Sequence, residues 1–400
     1  NRVHVIHMTA PQNTKPPMPT LITRITRATV RQTILELQMT DRLSALRAIM
    51  SAQSVDFVAI GPGAHMAWLF DLRPHGDERP LLACVSQSHV GVLMPSLEAE
   101  SARQQTDLPF YTWADDEGPD AALQTILAEF QVSTARDIVL DETMRADFAG
   151  LIQDAMPQAR RRFTADTLGA LRMRKDAAEY TTLKDNALIA DAAMRAAWAG
   201  MAPGMTEQEV AAIARQEFTN LGATPLFSIV GAGGNGAFPH HHTGATVLQA
   251  GDAVVMDIGG GKDGYSSDMT RMAVMGHAPD GYDEVHAVVE AAVQAALAAA
   301  RPGVKAHVVD DAARGAITDA GLGAYFMHRT GHGMGVEIHE PPYITATSDS
   351  VLDEGMVFSI EPGVYLPGRF GIRLEDIVIL RADGPEILSD LPRDLMTIPV

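Results

Sequence analysis

One cysteine in 400 residues, Cys84, leaves no partner for an internal disulfide and excludes a thiolate metal cage. A metal site in this chain must therefore use histidine, aspartate and glutamate. The thiol count suits a reducing compartment, so a cytoplasmic location is expected. Long apolar runs are missing as well. The nearest approach, residues 285–300, is broken by His286, Glu290 and Gln294 and reads as a buried amphipathic helix, not a membrane span. Basic residues are in deficit, 31 Lys and Arg against 50 Asp and Glu, and the formal charge of -19 disfavours nucleic acid or an anionic membrane as partner. Before Glu36 it is the acidic residues that are absent: Arg2, Lys15, Arg24, Arg27 and Arg31 lie there among Thr and Pro. An organellar transit sequence shares that composition, but residues 1–35 are read as an upstream extension. With no apolar stretch in them, a secretory signal is not expected.

What is present is core material: 46% of the chain is apolar, enough for two domains of ordinary size. Residues 41–50 form an amphipathic segment with Leu43, Leu46, Ile49 and Met50 on one helical face. Short apolar runs at 56–60, 81–85, 90–94 and 137–140 alternate with helical segments at 121–130 and 145–154, the pattern of an α/β domain. A basic stretch at 160–162 and 172–175 then precedes a long helical pattern over 177–199 that stops at Gly200. A second helix opens with Thr206 and Glu209 in capping-box spacing and closes before Gly222; two more are expected near 283–300 and 305–320. The fold class is α+β, with an extension over 1–35, a smaller α/β domain over 36–168 and a larger domain of helices and antiparallel hairpins over 169–400.

The chemistry lies in that larger part. Asp257 and Asp268 sit in two β-like runs joined by a glycine-rich turn and are symmetric about the Lys262–Asp263 midpoint, so a simple hairpin sets them opposite each other. Like charges so placed are destabilising unless a cation lies between them. Glu361 and Glu375 repeat the device, symmetric about Gly368. Asp257 is flanked by Val254, Val255, Met256 and Ile258, and Glu361 by Val357, Phe358 and Ile360; carboxylates in apolar strands are costly to bury unpaired. A single acidic residue at a strand end is usually only a solvated turn residue, but two pairs together with His332 make a donor set for two divalent ions sharing a water. Two stretches, 231–236 and 259–264, match G-x-G-x-x-G, yet neither is followed by a helix pattern, so neither is read as a dinucleotide site. His339-Glu340-Pro341-Pro342 lacks the second histidine of a helical zinc motif.

These residues, together with 251–271, 328–341, Glu361-Pro362-Gly363 and Arg373-Leu374-Glu375-Asp376, resemble the metallopeptidase family of prolidase, aminopeptidase P and methionine aminopeptidase. The resemblance is strong over about 175–400, weak over about 40–165, and does not reach 1–35. It implies a pita-bread catalytic domain with pseudo-twofold hairpins, preceded by a smaller creatinase-type domain. It implies two divalent ions, manganese first and cobalt, zinc or iron as alternatives, held by Asp257, Asp268, His332, Glu361 and Glu375. By the same resemblance Glu361 handles the proton of the bridging water, His240 and His339 contact the scissile carbonyl, and Thr270 supports the centre from behind. His328, Arg373, Tyr365 and Phe227 line the proline-side pocket. Of the run His240-His241-His242, His240 is the member expected to face inward, with the outer members solvated.

The function so implied is hydrolysis of the bond before proline in small peptides, by a homodimer, with the Xaa-Pro dipeptidase preferred. Some family prolidases carry an arginine shortly after the His-Glu motif, where this chain has Pro341-Pro342-Tyr343, so an aminopeptidase P acting on longer peptides stays open. So does a relative with altered chemistry, a non-peptide C–N hydrolase or a dimethylsulfoniopropionate lyase. A non-catalytic binding module is disfavoured, since all five ligand types are present and the acidic balance offers no basic nucleic-acid surface.

Overall fold

The computed structural model describes residues 27–400, with side chains from Met39 on apart from Thr40. The extension expected over 1–35 lies outside the described residues as far as residue 26, and its remainder falls in helix Arg27–Gln53, which also takes in the expected 41–50 segment and buries Leu46 and Met50 completely.

A six-stranded mixed sheet comes first in the chain, in the order Phe110–Trp113, Val90–Pro95, Leu82–Val85, Phe57–Ile60, Asp137–Leu140, Arg160–Phe163. Its central strands are apolar without interruption because helices cover both faces. Alternate residues go to opposite sides: Val58, Ile60, Ala83, Val85 and Val139 meet Leu46, Met50 and Met66, whereas Phe57, Ala59, Leu82, Ile138 and Leu140 meet Ile126, Leu127, Phe148 and Ile152. Cys84 is inside the second of these cores, and burial pushes its thiol up to about 12. Arg160–Phe163 is a strand where the sequence pattern suggested only a basic stretch. It lies at the sheet edge, and arginines facing solvent guard such an edge against further pairing.

The rest of the chain repeats one plan, two helices followed by a sheet that is antiparallel except where Met396–Ile398 joins Met269–Met275 in parallel. Helices Ala177–Gly200 and Glu207–Asn220, each opened by a capping box (Asp176 with Glu179, Thr206 with Glu209), pack on the sheet Met396–Ile398, Met269–Met275, Ala253–Lys262, Thr224–Ala232. Helices Tyr282–Ala299 and Ala306–Asp319 pack on the sheet Glu340–Ile344, Gly331–Gly333, Val357–Ile360, Asp376–Arg381, Gly384–Ile387. The first sheet has two apolar faces. Val254, Met256 and Ile258 meet the first helix pair, while Ala253, Val255, Met272 and Val274 meet the second half of the repeat. By strand alternation Asp257, Asp268 and Thr270 share that inner face. Residues 231–236 run into a 3-10 turn and 259–264 form a hairpin tip, so no helix follows either glycine motif. Among the described residues no helix is long and apolar enough to cross a membrane.

The halves are locked by two arginines pointing in opposite directions. Arg271, fully buried on the first hairpin, donates to the carbonyl of Glu375, to Asp376 and to the carbonyls of Leu391 and Pro392. Arg373, on the second, reaches back to Asp257 and Thr270. Arg271→Met is expected to cost about 3–5 kcal/mol in urea unfolding, because buried acceptors lose their donor. Arg174→Ala, which removes an exposed pair with Asp353, is expected to cost about 1 kcal/mol or less in the same measurement.

Candidate active site

The first hairpin closes on Asp263-Gly264. Both residues are left-handed, φ 52° and 83°, and Lys262 pairs with Tyr265 across them, a two-residue turn for which Asp-Gly is suited. The centre is thus one residue beyond the Lys262–Asp263 midpoint, and the residue opposite Asp257 is Thr270, not Asp268. The shift displaces the partner by two positions, which preserves the face. Asp268 therefore remains on the side of Asp257, diagonally placed.

The second acidic pair keeps its expected symmetry. Ile360 pairs with Asp376 and, nearer the tip, Gly363 pairs with Arg373; both pairs are centred on Gly368, whose φ is 74°. Glu361 and Glu375, between those pairs, face each other. His332 is the middle residue of Gly331–Gly333, a strand squeezed between Glu340–Ile344 and Val357–Ile360. A Cβ on Gly331 would collide with the Ser359 carbonyl and one on Gly333 with the Pro341 carbonyl, which explains the glycines flanking this histidine.

From these elements two triads of donor atoms converge, Asp257, Asp268 and Glu375 in one and His332, Glu361 and Glu375 in the other, each with its atoms within 4.8 Å of one another. Glu375 belongs to both. His339 joins Asp268 and His332 in a third group, its ring lying edge-on to His332 at 4.0 Å. His332 Nδ1 lies 3.0 Å from the Gly333 carbonyl, which can only accept, so the proton is on Nδ1 and the Nε2 lone pair faces Glu361 and Asp268 at 3.4 and 3.7 Å. Ser359 Oγ donates to Glu361, and Thr270 Oγ1 donates to Glu375 at 2.7 Å. Asp257 accepts from Arg373 through Oδ2, while its buried Oδ1 has no hydrogen-bond partner.

Electrostatics make this set unstable by itself. Burial, followed by the charges of Glu375, Asp257 and Glu361, pushes Asp268 well above the usual carboxylate range. Burial and then Glu361 and Asp257 do the same to Glu375, and burial lifts Glu361 to about 7 against the pull of Arg373. Burial and the neighbouring His339 hold His332 down to about 3, so it adds no positive charge near neutral pH. Four carboxylates, one of them with an orphaned oxygen, and one neutral imidazole nitrogen fit a pair of hard or borderline divalent cations.

Around the centre the expected contacts divide into exposed and committed groups. His240 and His339 are exposed imidazoles. His241 departs from expectation: it turns inward to buried Glu207 at 2.8 Å, a carboxylate that also accepts from the amides of Ala232 and Gly244 and from Asn235. Phe227 is half-buried and covers Gly259. Arg373 is 3% exposed and donates to Asp257, Thr270, Tyr365 and the Pro239 carbonyl, which leaves it as a bracket with little to offer a substrate. Tyr365 in turn donates to His328 Nε2 at 2.8 Å, and His328 Nδ1–H donates to the Arg329 carbonyl at 2.7 Å. His328 therefore offers a ring surface and no free nitrogen. Sequence reasoning missed Ser359, although it stands two residues before Glu361, on the strand that leads into it. It also missed buried Glu340, beside His339, which is paired with Arg172 and with Lys175 at 2.8 Å.

Comparison with known proteins relates the chain to metallopeptidases. The profile of "Metallopeptidase family M24" matches residues 181–382. The probable dipeptidase PepE of Mycobacterium tuberculosis is 35% identical over 90% of this chain and 96% of its own length. The Xaa-Pro dipeptidase of Pyrococcus furiosus is 31% identical over 90% of this chain and all of its own. The crystal structure of dipeptidase PepE from Mycobacterium ulcerans superposes with a TM-score of 0.86 at 35% identity, covering 91% of this chain and 99% of that one.

The raised carboxyl groups set a sign for stability without ions. A folded-state value lifted from 4.5 to about 7 means that the fold holds a proton the unfolded chain releases, so this contribution is present below about 4.5 and lost as pH rises through about 7. The melting temperature gained on adding manganese to stripped protein is expected to be small near the lower pH and to grow toward the upper one. A gain that is flat or falls with pH in calorimetry would contradict the assignment of these carboxylates.

Proposed function

The chain belongs to metallopeptidase family M24, and from that membership we propose that it is a metal-dependent dipeptidase that cleaves the bond before proline. The observation that carries the reading is the meeting of four carboxylates and His332 in two triads that share Glu375, with Asp257 Oδ1 buried and unpartnered. Asp257, Asp268 and Glu375 would hold one divalent ion and His332, Glu361 and Glu375 the other, manganese being the proposed metal. When bound, the ions supply the positive charge that acidifies a water and polarises the substrate carbonyl.

The remaining work falls to this chain's own groups. Glu361, held by the Ser359 hydroxyl at the edge of the centre, is placed to take a proton at its carboxylate and return it to the leaving nitrogen. That return matters because a proline nitrogen in a peptide bond has no hydrogen of its own. His240 and His339, exposed beside the centre, donate N–H to the oxygen on which negative charge grows. Phe227 and the ring of His328 wall the pyrrolidine, while Arg373, Tyr365 and Thr270 fix Asp257, His328 and Glu375 in place. The proposal includes a domain boundary at 168/169, a cytoplasmic location and a homodimer.

Protein stripped of metal and reloaded with manganese is expected to hydrolyse an Xaa-Pro dipeptide faster than an Xaa-Pro-Xaa tripeptide. A preference for the tripeptide makes the chain an aminopeptidase, and ion uptake without cleavage of either points to altered chemistry. Glu361→Gln and Asp268→Asn are each expected to lower kcat by roughly 10²- to 10⁴-fold with the circular dichroism spectrum unchanged. If Asp268→Asn kept full activity and metal content, the two-triad reading would be wrong.

A further inference from the structure

Arg329 sits between His328 and Thr330 at the edge of the centre, and among the described residues its guanidinium has no hydrogen-bond or ion-pair partner. Other arginines nearby are spent. Arg373 is bound to Asp257, Thr270 and Tyr365, and Arg314 to Asp310 and to the carbonyls of Phe326 and His328. The Arg329 guanidinium stacks over the ring of Tyr343, 4.9 Å from its centroid. Tyr343 is the cross-strand partner of His332, so the stacked plane is carried directly beside the ligand triads. Arg329 is also within electrostatic reach of His339: after burial, its charge is the next cause that lowers the basicity of that imidazole.

Its main chain is fixed from the same centre. Arg373 donates to Tyr365, Tyr365 to His328, and His328 to the Arg329 carbonyl, a chain of hydrogen bonds that begins at Asp257 and ends on this residue. A half-buried, unpaired guanidinium with a fixed backbone and one face on an aromatic ring leaves its N–H edge free. That edge matches a carboxylate in two-point geometry. A substrate carboxylate approaching four acidic residues needs such a cation, and the segment Pro341-Pro342-Tyr343 has none to offer.

We propose that Arg329 binds the free α-carboxylate of a two-residue substrate and so limits the enzyme to dipeptides. The proposal rests on the peptidase reading above but not on its preference for proline. It assigns length selection to a residue outside the ligand triads, and Tyr343 becomes the support that holds the guanidinium flat.

The test compares an Xaa-Pro dipeptide with its C-terminal amide on manganese-loaded wild type, Arg329→Ala and Arg329→Gln. The dipeptide is expected to lose roughly 10- to 100-fold in kcat/KM in both variants, mainly through KM, the size expected for a charge-assisted pair. The amide is expected to change by about twofold or less, because it never made that pair. A binding readout without turnover accompanies it: free proline raises the melting temperature of the wild type more than prolinamide does, and Arg329→Ala removes the difference. Equal losses on dipeptide and amide, or a proline effect untouched by either variant, overturn the proposal. Cleavage of dipeptides lacking proline, with none of Xaa-Pro but the same dependence on Arg329, would uphold the clamp while removing the proline reading. Metal content and melting temperature of the two variants identify a folding defect, and the variant that folds decides the outcome.

Discussion

The mutual repulsion of four carboxylates on one buried face governs this structure. Asp257, Asp268, Glu361 and Glu375 converge where water cannot screen them, and the guanidinium in direct contact, Arg373, touches only Asp257. Burial and mutual charge lift three of the four away from their ordinary acidity. An arrangement that costs this much in the bare chain persists because the surrounding fold over-determines it and because cations relieve it.

That over-determination has a reciprocal form. Each acidic hairpin sends an arginine into the other: Arg271 to the Glu375 carbonyl and Asp376, Arg373 to Asp257 and Thr270. Thr270 then closes the loop by donating to Glu375. The two halves repeat helix, helix and sheet, and their inner faces meet in one apolar core, so the hairpins are held from behind by packing and from the side by these hydrogen bonds. Asp257 and His332 lie within strands, and Asp268, Glu361 and Glu375 stand in the two-residue breaks between strands, so paired backbone and buried arginines brace all five, which suits a site that must keep a fixed shape while ions and substrates exchange.

Much of this was legible in the residues. Hairpin symmetry marked all four carboxylates and apolar flanks marked Asp257 and Glu361, and the symmetry of Glu361 and Glu375 about Gly368 survives in the register. The Asp257 hairpin was misplaced by one residue because six residues of glycine-rich turn admit several centres. The Asp263-Gly264 dipeptide was the deciding signal, since Asp-Gly is a favoured pair for the two neighbouring left-handed positions of a two-residue turn. The edge strand Arg160–Phe163 was hidden by its own protective charge. Neither the inward turn of His241 to Glu207 nor the full commitment of Arg373 could be read locally, because their partners lie 34 and 116 residues away in the chain. Arg329 carried no local mark at all. Its interest comes from what its neighbours have already bonded.

The sharing of one centre between two halves also fixes when that centre can exist during folding. Asp257 and Thr270 are neighbours across a hairpin, but Thr270 and Glu375, hydrogen-bonded in the finished site, are 105 residues apart in sequence. Hairpin contacts form early and locally, whereas a pairing across such a span waits for long-range docking. A nascent or half-folded chain therefore displays only fragments of the donor set, too sparse to sequester an ion from its surroundings. Capture of the pair becomes a late event, a seal set on a chain that has already found its tertiary structure.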